Sequence, residues 1–104
     1  MTRRLIFAPS IPGDLRAALD YYDQLSPKLA NQFRLNVDKR LDDIAARPES
    51  FSIDVDPVRF ARIDRFPYVI FFVVQPEFVS IIAVLHGASN PTKWRNRRNE
   101  STGE

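Results

Sequence analysis

Tyr68-Val69-Ile70-Phe71-Phe72-Val73-Val74-Gln75-Pro76-Glu77-Phe78-Val79-Ser80-Ile81-Ile82-Ala83-Val84-Leu85 is the stretch on which the fold turns. Two nearly continuous apolar runs, rich in β-branched and aromatic residues, flank a Pro-Glu pair. Branched and aromatic side chains pack well on a pleated surface and lose rotamer freedom in a helix, so both runs read as strands. Apolar residues at successive positions, not only alternate ones, imply a strand covered on both faces. Pro76-Glu77 reads as the turn of a hairpin, and His86-Gly87 ends the second strand. The longest strictly apolar run, Val69 to Val74, falls far short of the ~20 residues that cross a bilayer.

Upstream, Phe66-Pro67 separates this hairpin from Val58 to Asp64, a strand in which Val58, Phe60 and Arg62 alternate with Arg59, Ala61 and Ile63. Glu49 to Pro57 reads as a loop. Before Pro48 the pattern changes from strand to helix. Leu29, Phe33, Val37, Leu41 and Ile44 form one apolar stripe on a helix from Pro27 to Ala46, with Ser26 as N-cap and Pro27 at the first helical position. Arg47-Pro48 ends it, because proline disfavours helical backbone in the residue before it. Leu15, Ala18, Leu19 and Tyr22 mark an earlier helix from Pro12 to Leu25, capped by Ser10 or Asp14. Leu5-Ile6-Phe7 reads as a short strand within Arg4 to Phe7. Helices gathered before strands predict the α+β class, in the order β-α-α-β-β-β, with a helical hairpin packed on a mainly antiparallel sheet. A single domain is expected over 1–98, and 99–104 as a disordered tail. The sheet face away from the helices carries enough apolar side chains to predict a partner there.

Composition bounds the chemistry. The chain has 104 residues, 44% hydrophobic and 27% charged, which suits one globular domain. It has no cysteine, which excludes disulfides, thiolate metal sites and a cysteine nucleophile, and one histidine, which excludes a multi-histidine metal centre. No cofactor or metal is expected. The N-terminus shows no sustained apolar stretch of the kind a signal peptide carries, so a cytoplasmic protein without a membrane partner is expected. A net charge of +2 is too small to demand nucleic acid; local clusters at Arg59, Arg62 and Arg65 and at Lys93, Arg95, Arg97 and Arg98 carry more information.

Ile63-Asp64-Arg65-Phe66-Pro67-Tyr68-Val69-Ile70-Phe71-Phe72-Val73-Val74 followed by Val79-Ser80-Ile81-Ile82-Ala83-Val84-Leu85-His86-Gly87-Ala88 resembles the RelE/ParE toxin superfamily of type II toxin–antitoxin modules. Asp14-Leu15, Ala18 and Tyr21-Tyr22 agree with it, as do Leu29-Ala30, Phe33, Pro48, Phe51, Pro91 and Trp94. The resemblance covers about residues 3 to 95. It implies the same β-α-α-β-β-β fold and a small toxin neutralised by a cognate antitoxin, as a homodimer or a toxin–antitoxin hetero-oligomer. Two activities are implied: ParE-like inhibition of DNA gyrase by binding, and RelE-like cleavage of mRNA on the ribosome.

A nuclease of this kind needs an acid, a base and cations around the scissile phosphate. His86, the sole imidazole, sits at a strand end and is either a proton donor or a structural cap. Arg62 and Arg65 are the candidate phosphate clamps, and Arg59 a contact to target or nucleic acid. A regular strand puts Arg59 and Arg65 on one face and Arg62 on the other, so convergence requires a bulge or loop at Asp64. Lys93, Trp94 and Arg95 interleave an aromatic with cations, which suits either stacking on a base or a solvated terminus. Tyr22 falls on the core stripe and Tyr21 off it. There is no tyrosine after Tyr68, and the modest charge suits a ribosome-bound protein poorly. Both features favour the ParE-like, non-catalytic expectation; the endoribonuclease and a non-toxic interaction domain of the same fold are the alternatives.

Overall fold

The computed structural model describes residues 2–87. β1 (Arg4–Phe7) leads into α1 (Ile11–Leu25) and α2 (Pro27–Ala46); a 3-10 turn at Pro48–Ser50 then precedes β2 (Ile53–Val55), β3 (Val58–Arg62), β4 (Tyr68–Val74) and β5 (Phe78–His86). The five strands lie in the order β1-β5-β4-β3-β2, and every neighbouring pair is antiparallel except β1 with β5. The α+β class and mainly antiparallel sheet are as expected. The sheet has one strand more than expected, because β2 forms inside the stretch that reads as a loop. Ile53-Asp54-Val55 is exposed throughout, so no alternation marks it; only pairing with β3 makes it a strand.

The helices bury one face each against the sheet. Ile11, Ala18 and Tyr22 of α1 and Phe33, Val37 and Ile44 of α2 pack on Ala61, Ile70, Phe72, Val79, Ile81 and Val84. Leu29 does not complete the α2 stripe: it is exposed, and Ala30 packs against the core in its place. Ser26 turns the chain sharply between the helices in extended geometry, with Pro27 opening α2 as expected. Ser10 and Ser26 occupy N-cap positions, yet neither side chain caps its helix. Asp14 lies inside the first turn of α1, not at its N-cap position, and its carboxylate crosses to β5 and accepts the Val84 N–H at 3.0 Å.

A bulge in β5 sets which residues face which side. Phe71 pairs with Ala83 and Phe72 with Ile81, leaving Ile82 as an extra residue. Val79 and Ile81 face the helices before the bulge, and Val84 after it. The opposite face holds a second cluster, Val58, Val73, Ile82, Ala83 and Leu85, with half-buried Phe71. The expectation of an open apolar face there is corrected: those five side chains are buried. Among the described residues the exposed large apolar groups lie elsewhere, with Ile6 and Phe7 on edge strand β1, Ile53 and Val55 on edge strand β2, Tyr21, Leu25 and Leu29 around the α1–α2 turn, and Leu35 on α2.

Candidate functional site

The β3–β4 turn carries two of the three candidate catalytic side chains. Phe66 N–H closes back on the Ile63 carbonyl at 3.3 Å, and Ile63 N–H donates to Tyr68 at 2.9 Å. Arg65 sits at the third position of this turn with φ 69°, the left-handed region that favours glycine. Helix α2 holds the turn from one side. The Asn36 amide donates to the Asp64 carbonyl and the Arg40 Nε to the Arg62 carbonyl, both at 2.9 Å. Arg40 also bonds Asp43 through Nη1 at 3.1 Å. Asn36 and Arg40, one helical turn apart beside the apolar stripe, are site-shaping residues that the sequence reading passes over. Their i, i+4 polar spacing next to Val37 is the signal that could have found them.

The strand parity separates the candidates. Arg62 pairs with Val69 on the face away from the helices, and its guanidinium lies 5.8 Å from the Phe60 ring centroid on that face. Arg59 points to the helix side, where Nη1 donates to the Phe51 carbonyl at 2.6 Å and the Glu49 carbonyl at 3.4 Å. It therefore braces the 3-10 turn before β2. Arg62 and Arg65 are both exposed.

His86 belongs to a different place. It pairs across the sheet with Tyr68, and their rings meet edge to face with centroids 5.4 Å apart. Tyr68 in turn packs on Phe33 and Tyr22, at 5.2 Å and 6.1 Å, so His86 stands at the rim of the helix-side core. It is two strands from Arg62 and on the other face. The bulge at Ile82 is what brings it there. The structure thus does not assemble His86 with Arg62. Lys93, Trp94 and Arg95, together with Arg97, Arg98 and the 99–104 tail, lie outside the described residues.

Around His86 the structure builds an aromatic cleft of about 400 Å³, lined by Tyr21, Tyr22, Leu25, Pro67, Tyr68 and His86. Tyr22 is buried and Tyr21 exposed, as the helical stripe predicts. Burial, then the neighbouring phenols of Tyr68 and Tyr21, raises the Tyr22 hydroxyl above its ordinary value near 10. Burial and then Tyr21 raise Tyr68 in the same direction. Both phenols are therefore neutral donors and acceptors near neutral pH. Among the described residues, the cleft lining offers rings and hydroxyls.

The geometry agrees with comparisons to known proteins. A family model described as "ParE toxin of type II toxin-antitoxin system, parDE" matches residues 5–91. Toxin ParE2 of Mycobacterium tuberculosis, in strains CDC 1551 / Oshkosh and ATCC 25618 / H37Rv, is 30% identical over 92 residues, spanning 88% of this chain and 88% of that protein. A solved structure described as the chromosomal ParDE TA system from P. aeruginosa shares the fold with a TM-score of 0.71 at 19% identity, over 82% of this chain and 96% of that one. A match along most of the chain, with the same two-helix, five-stranded architecture beneath it, leads to one conclusion: this chain belongs to the ParE toxin family of type II toxin–antitoxin systems.

Proposed function

We propose that the chain arrests growth by binding DNA gyrase, without chemistry of its own, and is neutralised in the cytoplasm by a cognate antitoxin in a toxin–antitoxin hetero-oligomer. The observation that carries the non-catalytic part is the separation of His86 from Arg62 across the sheet. A phosphodiester cleaved through proton transfer needs its acid–base group and its cations within hydrogen-bond reach of one phosphate, and these residues do not share a face. The family supports the gyrase part, and the exposed apolar groups support the antitoxin part. Edge strands β1 and β2, with Ile6, Phe7, Ile53 and Val55 open, suit an added strand, and Tyr21, Leu25 and Leu29 suit the apolar side of a partner helix.

The test is a supercoiling assay with purified gyrase beside primer extension on translated mRNA. Inhibited supercoiling with intact mRNA is the expected outcome, relieved by adding the product of the adjoining short reading frame. Cuts within codons together with unaffected gyrase would overturn the proposal in favour of an endoribonuclease. Expression without growth arrest would overturn it in favour of a non-toxic interaction domain.

A further inference from the structure

The sheet face away from the helices is dry, and neither helix makes it so. Both helices pack on the other side. On this side Val58 is 0% exposed, Ile82 1%, Ala83 0%, Val73 8% and Leu85 9%. Among the described residues, the only half-buried apolar side chain packed against these five is Phe71, which stands on the same sheet. The second face of an antiparallel sheet, when bare, is wetted and ordinarily polar. Apolar groups buried this deeply need a second layer over them. That layer belongs to the chain itself, because the burial is a property of a single copy.

We propose that the chain's own segment after Gly87 returns across this face, with Trp94 laid on the Val58, Val73 and Ile82 side chains. Reach supports it. The chain leaves β5 where the Gly87 N–H donates to the Pro67 carbonyl at 2.7 Å. From Pro67 to the row of Val73 the sheet runs about 20 Å at the rise of a strand. The extended chain from Gly87 to Trp94 spans about 23 Å. Sequence supports it as well. Lys93-Trp94-Arg95 sets one ring between two cations. Neighbouring side chains of an extended chain point to opposite sides, so the ring can meet the sheet while both cations meet water. Trp94 is the only aromatic residue in 88–104, and a buried tryptophan takes roughly 150–250 Å² out of water.

On this assignment Trp94 belongs to the fold and is not a ring held out for a base or a target. Its cations line the outer side of the cover, and removing the ring opens a contiguous apolar face of the kind that recruits other proteins. The assignment does not rest on gyrase as the target, and its test is independent of the supercoiling assay.

The experiment uses the full chain. Trp94 is its only tryptophan, so indole emission reports on that residue alone. The folded protein should emit to the blue of the urea-unfolded protein and be quenched several-fold less by acrylamide. NMR should show cross-relaxation between the indole ring and the methyl groups of Val58, Val73 and Ile82, unchanged on dilution. Trp94→Ala should raise the effect of a soluble paramagnetic probe on those methyls several-fold and leave Val79 and Ile81, on the helix side, as they are. Trp94→Phe should restore most of the protection. The proposal is overturned if native emission and quenching match those of the unfolded chain, if the indole contacts other residues, or if Trp94→Ala leaves the probe effect unchanged. It is also overturned if the contacts fade on dilution and join differently labelled copies, which gives the face to a second copy. The wild-type readouts decide the matter even if a variant fails to fold.

Discussion

Replacing Asp14 with alanine removes a bond that ties a helix to the last described strand. β1 ends opposite Ile81, where the Ala8 N–H makes the final link at 2.9 Å before the chain turns into α1. Three residues further along β5, the Val84 N–H is taken instead by the Asp14 carboxylate at 3.0 Å, so a side chain from the first turn of α1 stands in for a strand. Val84 is buried, so alanine at position 14 leaves its N–H without that acceptor, a loss of roughly 1–3 kcal/mol. The carboxylate also faces the positive end of the α1 dipole, worth a further ~0.3–1 kcal/mol. Asp14→Ala should therefore cost about 2–3 kcal/mol. Asp14→Asn keeps an oxygen acceptor and loses only the charge, and should cost about 1 kcal/mol. For a domain of this size, each kcal/mol lowers Tm by roughly 4–8 °C, so Asp14→Ala should melt about 10–20 °C early. Urea unfolding followed by circular dichroism measures the loss, and hydrogen exchange at the Val84 amide locates it. A cost below about 0.5 kcal/mol, the range of an inconsequential surface change, would refute the role assigned to this bond.

Arg65→Gly should stabilise the chain by about 0.5–1 kcal/mol, since it relieves the left-handed backbone at φ 69°, and a rise in Tm would show it. Phe33→Ala removes a fully buried ring that touches Tyr22, Phe66 and Tyr68, so it should cost about 3–5 kcal/mol in denaturant unfolding, with near-ultraviolet ellipticity lost. The raised phenols of Tyr22 and Tyr68 predict alkaline destabilisation. The folded chain holds these protons more tightly than the unfolded one, so their contribution is full below pH ~10 and disappears as pH climbs through the raised values. Unfolding midpoints measured across that range in wild type and Tyr22→Phe should diverge, with the variant less sensitive to pH.

Elements whose identity rests on local chemistry were legible in the sequence. Ser26-Pro27 and Arg47-Pro48 bracket α2 at the residues where it begins and ends, because proline acts on its own backbone and its neighbour's without help from the rest of the fold. The parity of Arg59 against Arg62 was legible for the same reason: alternation is a property of the strand alone. What tertiary structure decides was not legible. Ile53-Asp54-Val55 becomes a strand only because β3 offers its edge. Ile81-Ile82-Ala83-Val84-Leu85 is apolar at every position, so nothing in it tells which residue the bulge sets aside, and the bulge decides the face on which His86 emerges. The pairing of His86 with the tyrosines was hidden behind that choice. Asp14 could be placed at a helix start from sequence, but not given a partner 70 residues away.

The parallel union of β1 with β5 has a consequence for how the cell makes this protein. Among the described residues, β1 finds its sheet neighbour in β5, the strand made last of the five. Until codon 86 has been read and that segment has cleared the exit tunnel, β1 has no strand to pair with and the helices lack part of the floor beneath them. A messenger cut short anywhere upstream of β5 therefore yields a polypeptide that lacks the strand on which β1 and both helices pack.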